Sequence, residues 1–178
     1  MTVNKVDADV GVLFERHADE LHRYLARRVG VAADDLVGDT FVAALRGGFD
    51  ARRGSARAWL YGIATNLANN HVRRRGREDA ATERLTFADR SDSHESRVVD
   101  RVDAQMRAAQ LRVAIAALPP ADRDVLLLST WAGLTNQEIA EALGVPAGTV
   151  RSRLHRVRHH LRAAAPTVAV EGEAADVD

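Results

Sequence analysis

The chain has 178 residues, 46% hydrophobic and 28% charged, enough for one ordinary domain or two small ones with a buried core. It contains no cysteine, which excludes disulfides, thiolate metal sites and a thiol redox switch carried by the chain itself, and fits a reducing compartment. No apolar run approaches bilayer length, and the first residues carry Asp7 and Asp9 in place of a signal core, so a soluble cytoplasmic protein without membrane insertion is expected.

The formal net charge of zero hides a block pattern. Residues 1–76 hold 12 basic against 9 acidic side chains, 77–104 hold 5 against 8, 105–165 hold 8 against 4, and 166–178 hold none against 4. Basic segments alternate with acidic ones, so charge per segment, not the total, bears on a nucleic-acid partner. Aromatics are only 4%, and the apolar residues are largely Ala, Leu and Val, which suits packed helices.

After a short N-terminal tail (1–9), Phe14, His17/Ala18, Leu21 and Tyr24/Leu25 recur at helical spacing over about Val10 to Arg28, and Gly30 ends the helix. A second helix runs from about Asp34 to Arg46, with Leu36, Val37, Phe41, Ala44 and Leu45 inward, Asp35 and Asp39 outward, and Gly47-Gly48 as the stop. Ser55 caps a long third helix, Ala56 to about Arg75, whose apolar side is Leu60, Ile63, Ala64, Leu67 and His71. Residues 10–76 thus read as a small helical bundle.

Residues 77–104 lose the period and read as a flexible acidic linker. Periodicity returns at Met106 to Leu118, Pro119-Pro120 breaks it, Asp122 caps the next helix, and Gly133 turns the chain. The fold class is all-α, with two small helical domains, the second at 105–165. The acidic tail (166–178) reads as a solubilising terminus or as a competitor with DNA for the basic helix before it.

Within the second domain, Thr135-Asn136-Gln137-Glu138 has the form of a capping box, fixing a helix start. Ile139, Ala140 and Leu143 form its inner stripe, Gly144 supplies a left-handed turn, and Pro146 suits the first turn of the helix that follows. There, Val150, Leu154, Val157 and Leu161 face inward, while Arg151, Ser152, Arg153, His155, Arg156, Arg158, His159 and Arg162 form a face without acid. A merely solvated basic face would interleave Glu; this one suits phosphates and guanine edges, in the helix-turn-helix arrangement.

The run Leu134-Thr135-Asn136-Gln137-Glu138-Ile139-Ala140, followed by Val145-Pro146-Ala147-Gly148-Thr149-Val150-Arg151-Ser152-Arg153-Leu154, resembles the promoter-binding C-terminal domain of bacterial extracytoplasmic-function (group IV) sigma factors of the sigma-70 family. Trp59-Leu60-Tyr61-Gly62-Ile63-Ala64-Thr65-Asn66-Leu67-Ala68 and Asp35-Leu36-Val37-Gly38-Asp39-Thr40-Phe41 resemble that family's N-terminal domain, in the right order. The resemblance implies a detachable specificity subunit of core RNA polymerase that recognises the -35 and -10 promoter elements and helps melt DNA. It implies Asp35, Asp39 and Phe41 at the polymerase clamp helices, a contact of the C-terminal domain with the flap, and a linker that threads through the polymerase. Thr149, Arg151, Ser152, Arg153, His155, Arg156 and Arg158 would meet the -35 duplex. Asn66 would sit at the pocket for a flipped-out -10 base, with Trp59, Asn70, Arg73 and Arg74 beside it, although an isolated helical Trp59 is first of all packing area. An anti-sigma factor is a further partner commonly found in the family.

Two residues depart from the family pattern: Gly38, where Gln is frequent, and Gly62, where Arg is common. Both weaken helix interiors by up to about 1 kcal/mol relative to Ala. The rival readings are a stand-alone helix-turn-helix regulator, which would need a ligand pocket or dimer face in residues 1–76, and an enzyme. No phosphate-binding Gly loop, HExxH or nucleophile–base pairing supports an enzyme, and no cofactor or metal is expected. His155 and His159 stand at i, i+4 but lack a nearby acid, which favours DNA contact over metal ligation.

Overall fold

A computed structural model describes residues 10–50, 54–83 and 110–164. Every element among them is helical: α1 (Val10–Val29), a 3-10 turn (Gly30–Ala32), α2 (Ala33–Gly47), α3 (Ala56–Glu83), α4 (described over residues 110–117), α5 (Pro120–Thr130), α6 (Asn136–Leu143) and α7 (Ala147–Ala164). The N-terminal and C-terminal tails and most of the acidic linker lie outside the described residues.

Helices α1, α2 and α3 pack pairwise on one another. The 3.6-residue period places Leu21, Tyr24 and Leu25 of α1 against Leu36, Phe41 and Ala44 of α2 and Leu60, Tyr61, Ala64 and Ala68 of α3, all buried. Tyr24 and Tyr61 meet edge to face at 5.2 Å, and the Tyr24 hydroxyl satisfies itself on Thr65 Oγ1 at 2.9 Å. Gly30 and Gly48, at φ of 62° and 63°, reverse the chain where a side chain would be strained. Ser55 caps α3 as its sequence foretold, its Oγ accepting the Ala58 N–H at 3.0 Å.

The structure corrects several details. Leu13, not Phe14, enters the core of α1; Phe14 is half-exposed and leans edge-on against Phe41. Leu45 is 67% exposed, because Ala44 alone fills the inward position at that end of α2. Helix α3 does not stop near Arg75 but continues through Gly76 to Glu83, since a single glycine weakens a helix without ending it. Asp122 is not the cap of α5: the helix starts at Pro120 behind Pro119, which makes no side-chain cap, and the Asp122 carboxylate is spent elsewhere. Pro146 precedes α7 rather than opening it, its carbonyl accepting the Thr149 N–H at 2.9 Å.

Helices α5, α6 and α7 bury Val125, Leu128, Ile139, Val150 and Val157 among themselves. Arg123 closes the end of α4, donating to the carbonyls of Ile115 (3.1 Å), which also accepts the Leu118 N–H at 3.2 Å, of Ala116 and of Leu118 (3.0 Å), at a helix end where Pro119 and Pro120 supply no N–H. The two halves share one buried cluster, from Leu13 to Leu154, joined mainly where α3 lies on α6. Gly62 makes that approach possible: a Cβ there would run into the Ala142 carbonyl oxygen and lie 3.2 Å from its carbon.

Candidate nucleic-acid interface

The α6–turn–α7 unit is built from its ends inward. Thr135 takes an extended conformation (φ −68°, ψ 161°), accepts the Glu138 N–H at 3.3 Å, and has its own N–H held by Glu138 Oε2 at 2.8 Å, a closed capping box. Gly144 is left-handed (φ 63°, ψ 36°), and the Val145 N–H returns to the Ala140 carbonyl at 3.0 Å, which sharpens the turn. Val150, Leu154 and Val157 lock α7 inward, so Arg151, Ser152, His155, Arg158, His159 and Arg162 are left exposed along one side, with Arg153 and Thr149 half-buried at its edge.

Arg156 stands apart from the others on this face. Its Nε and Nη2 donate to Asp122 Oδ2 and Oδ1 at 2.7 and 2.6 Å, a bidentate pair linking α7 to α5. The Arg156 bond holds the Asp122 carboxyl below the usual carboxylate range, against the opposing effect of burial. Arg156 therefore enters any contact with its Nε–Nη2 edge already engaged by Asp122. Ser152 likewise donates its hydroxyl to the Thr149 carbonyl at 2.9 Å.

On α3, Asn66 is exposed and lies at the rim of a cleft of about 480 Å³. Phe49, Trp59 and Ile63 form one side of that cleft, and Glu141 and Ala142 of α6 the other. Trp59 is half-buried, its ring 5.4 Å from that of Phe49, so packing is its first role. One turn onward, Asn70 accepts a bond from Arg73 at 2.6 Å, and Arg73 and Arg74 border a second cleft of about 600 Å³ between α2 and α3. His71, whose buried Nε2 has no hydrogen-bond partner among the described residues, lies in its wall.

On α2, Asp35 and Asp39 are exposed as expected, but Phe41 is only 5% exposed. The 3.6 period that turns Asp35 and Asp39 outward turns Phe41 into the core, where its ring meets that of Phe14 at 4.9 Å. The apolar side chains available on that helix are Val42 and Leu45, 44% and 67% exposed.

Residues that the sequence did not single out tie the two halves together. Arg28 on α1 bonds Tyr24 Oη at 2.7 Å, Asn69 Oδ1 at 2.6 Å and the Asp124 carboxylate, while Asn69 donates to the other Asp124 oxygen at 2.8 Å. Arg57 clasps Glu20 with both Nε and Nη2 and donates to the Ala132 carbonyl at 2.6 Å. Burial alone would raise the Glu20 carboxyl, but the bonds from Arg57 and His17 bring it below its ordinary value. Arg27 lies over the Trp131 ring at 5.9 Å. The contacts between the halves join residues at least 55 positions apart in sequence, so no local pattern announces them.

Residues 13–78 match the family described as Sigma-70 region 2, and residues 108–161 match Sigma-70, region 4. The ECF RNA polymerase sigma factor SigE of Mycolicibacterium smegmatis is 36% identical over 154 residues, covering 84% of this chain; the chain spans 59% of that relative's length. The ECF RNA polymerase sigma factor SigL of Mycobacterium tuberculosis is 33% identical over 156 residues, covering 84% of this chain and 85% of SigL. Among solved structures, CnrH in complex with the cytosolic domain of CnrY superposes with a TM-score of 0.59 at 26% identity, over 86% of this chain and 85% of CnrH. With the two regions in order along one polypeptide and most of SigL matched, the chain belongs to the extracytoplasmic-function RNA polymerase sigma factors of the sigma-70 family.

Proposed function

We propose that this sigma factor, a group IV member, binds core RNA polymerase in the cytoplasm, carries it to a promoter and promotes melting there, with no catalytic chemistry of its own. The observation that carries the proposal is the exposed, acid-free side of α7 presented by a complete helix-turn-helix. In this reading α7 enters the major groove of the -35 element. Arg151 reaches a base edge, and Thr149, Ser152, Arg153, His155 and Arg158 supply further base and phosphate contacts. Arg156 positions α7 through Asp122 instead of reading a base.

The first unit takes the -10 element. Asn66, exposed at the rim of its cleft, reads a base flipped out of the stack, and Asn70, Arg73 and Arg74 follow the phosphates along α3. Asp35 and Asp39, with Val42 and Leu45 beside them, dock on the polymerase clamp helices, and the α4–α7 unit docks on the flap. An anti-sigma protein is a further partner, in keeping with the similar CnrH, which was solved in complex with the cytosolic domain of CnrY. Reconstitution tests the proposal directly. Core polymerase plus this chain starts run-off transcription from promoters recovered by sequencing the DNA that the pair binds, and Asn66→Ala lowers permanganate reactivity at those start sites while duplex binding persists. Initiation equal with and without the chain would refute it.

A further inference from the structure

Arginine keeps its charge throughout the physiological range, so only imidazoles can change the charge of the basic face of α7 between about pH 8 and pH 6. His155 and His159 stand one turn apart on that face, both exposed, with Arg151 one turn before them and Arg162 three residues after. Helix α7 carries no acid of its own, and the acids on α5 and α6, the helices packed on it, are engaged elsewhere. Asp122 holds Arg156, and Asp124 meets Arg28 and Asn69. Glu138 closes the capping box on Thr135, and Glu141 accepts from Ser55 and Gln137. Arg123, the basic residue of α5, donates to carbonyls at the end of α4. The anion that can meet the two imidazoles is therefore one that arrives from outside.

We propose that His155 and His159 are proton-linked DNA contacts: their rings take up protons as α7 enters the groove, so promoter affinity rises as the solution is acidified. This rests on the reading of α7 as the duplex-binding helix given above. Phosphates laid along the face favour the imidazolium over the neutral ring, and the complex then holds more protons than its separated parts. Linkage fixes the sign, since affinity increases with falling pH wherever the complex is the more protonated state. Asp122 is silent over this range, because Arg156 holds its carboxyl below the usual carboxylate value and it stays ionised. His160 is exposed as well but stands about 140° around the helix from His155, off the line that His155, His159 and Arg162 share.

The test uses holoenzyme formed from core polymerase and the full chain, on a fluorescein-labelled promoter duplex recovered by the sequencing already described. Affinity is read by anisotropy at fixed ionic strength. The variant carrying His155→Gln and His159→Gln gives the pH dependence that belongs to core polymerase. Between about pH 8 and pH 6 the parent gains roughly tenfold more affinity than that variant does, from partial proton uptake on two rings. The parent's salt dependence also steepens on acidification, because each imidazolium on a phosphate releases a counterion. His155→Arg with His159→Arg loses the excess slope at the high-affinity end, and His160→Gln keeps it. Equal slopes in the parent and the double Gln variant overturn the proposal, as does an excess slope that His160→Gln abolishes. Arg151→Ala with Arg158→Ala separates this from the reading beneath it. Unchanged promoter affinity in that variant removes α7 from the duplex; weakened affinity, with equal slopes in the histidine variants, leaves α7 in place and ends the proton linkage.

Discussion

Two buried carboxylates that stand two residues apart on α5 bond arginines in opposite surroundings. Asp124 turns toward the first unit and meets Arg28 and Asn69; Asp122 turns toward α7 and meets Arg156. Arg28 and Asp124 are 7% and 9% exposed, so both ions have lost their water and each compensates the other. Arg156 is 64% exposed, so its head group stays hydrated whether or not the bond is made. The buried pair marks a contact that is either made or broken as a whole, whereas the pair with the exposed arginine orients α7 on α5. Helices α3 and α7 differ as well: α6 lies against α3 at Gly62, and the basic face of α7 is open.

The largest effect belongs to the buried pair. Asp124→Ala leaves Arg28 charged without its carboxylate and lowers stability by about 3–5 kcal/mol if the two units stay together. If they separate to hydrate Arg28, urea denaturation splits from one transition into two, and the loss is capped at the docking free energy. Arg28→Met with Asp124→Leu recovers most of the loss, because two apolar groups need no compensation. A single-variant cost no greater than that of a surface pair would break the comparison.

A smaller effect separates two arginines of α7. Arg151→Ala costs about 1–3 kcal/mol of promoter affinity and relaxes preference at one base pair, as loss of a bidentate base contact does. Arg156→Ala costs distinctly less and relaxes no position, because the Nε–Nη2 edge of its guanidinium is already given to Asp122. Fluorescence anisotropy with holoenzyme on single-base promoter variants distinguishes them, and equal losses with equal relaxation would return Arg156 to the role of base reader.

What the sequence disclosed was local. The capping box at Thr135, the left-handed Gly144, the Ser55 cap and the outward Asp35 and Asp39 each follow from neighbours within one turn, and all are as read. Phe14 and Leu45 were misplaced because their helices carry more apolar residues than the buried stripe can hold, and periodicity alone does not say which neighbour wins. The contact between halves was invisible, since Arg28 and Asp124 are 96 residues apart and Gly62 showed only as a departure from a family pattern. Gly62 was the available signal: a glycine inside a helix, costly to the helix itself, is retained where another backbone must come close.

The smallest effect is the pH dependence of the Asp122–Arg156 pair, and its sign is the sharpest test of how Asp122 is held. The folded carboxyl lies below its ordinary 3.8, the Arg156 bond being the main cause and burial opposing it. A depressed carboxyl adds stability that is fully present above about 3.8 and is lost as pH falls through the lower folded value. The melting-temperature gap between the parent and Asp122→Asn is therefore constant from neutral pH to about pH 5 and closes in strong acid. Glu20 is depressed in the same direction, but it titrates alike in both chains and cancels in the difference. Arg156→Met sharpens the test by reversing the sign. Asp122 is only 3% exposed, so without its partner burial raises the carboxyl above 3.8, and acid then stabilises this variant relative to the parent. A gap between parent and Arg156→Met that does not narrow on acidification would show that Asp122 owes its low value to something other than Arg156.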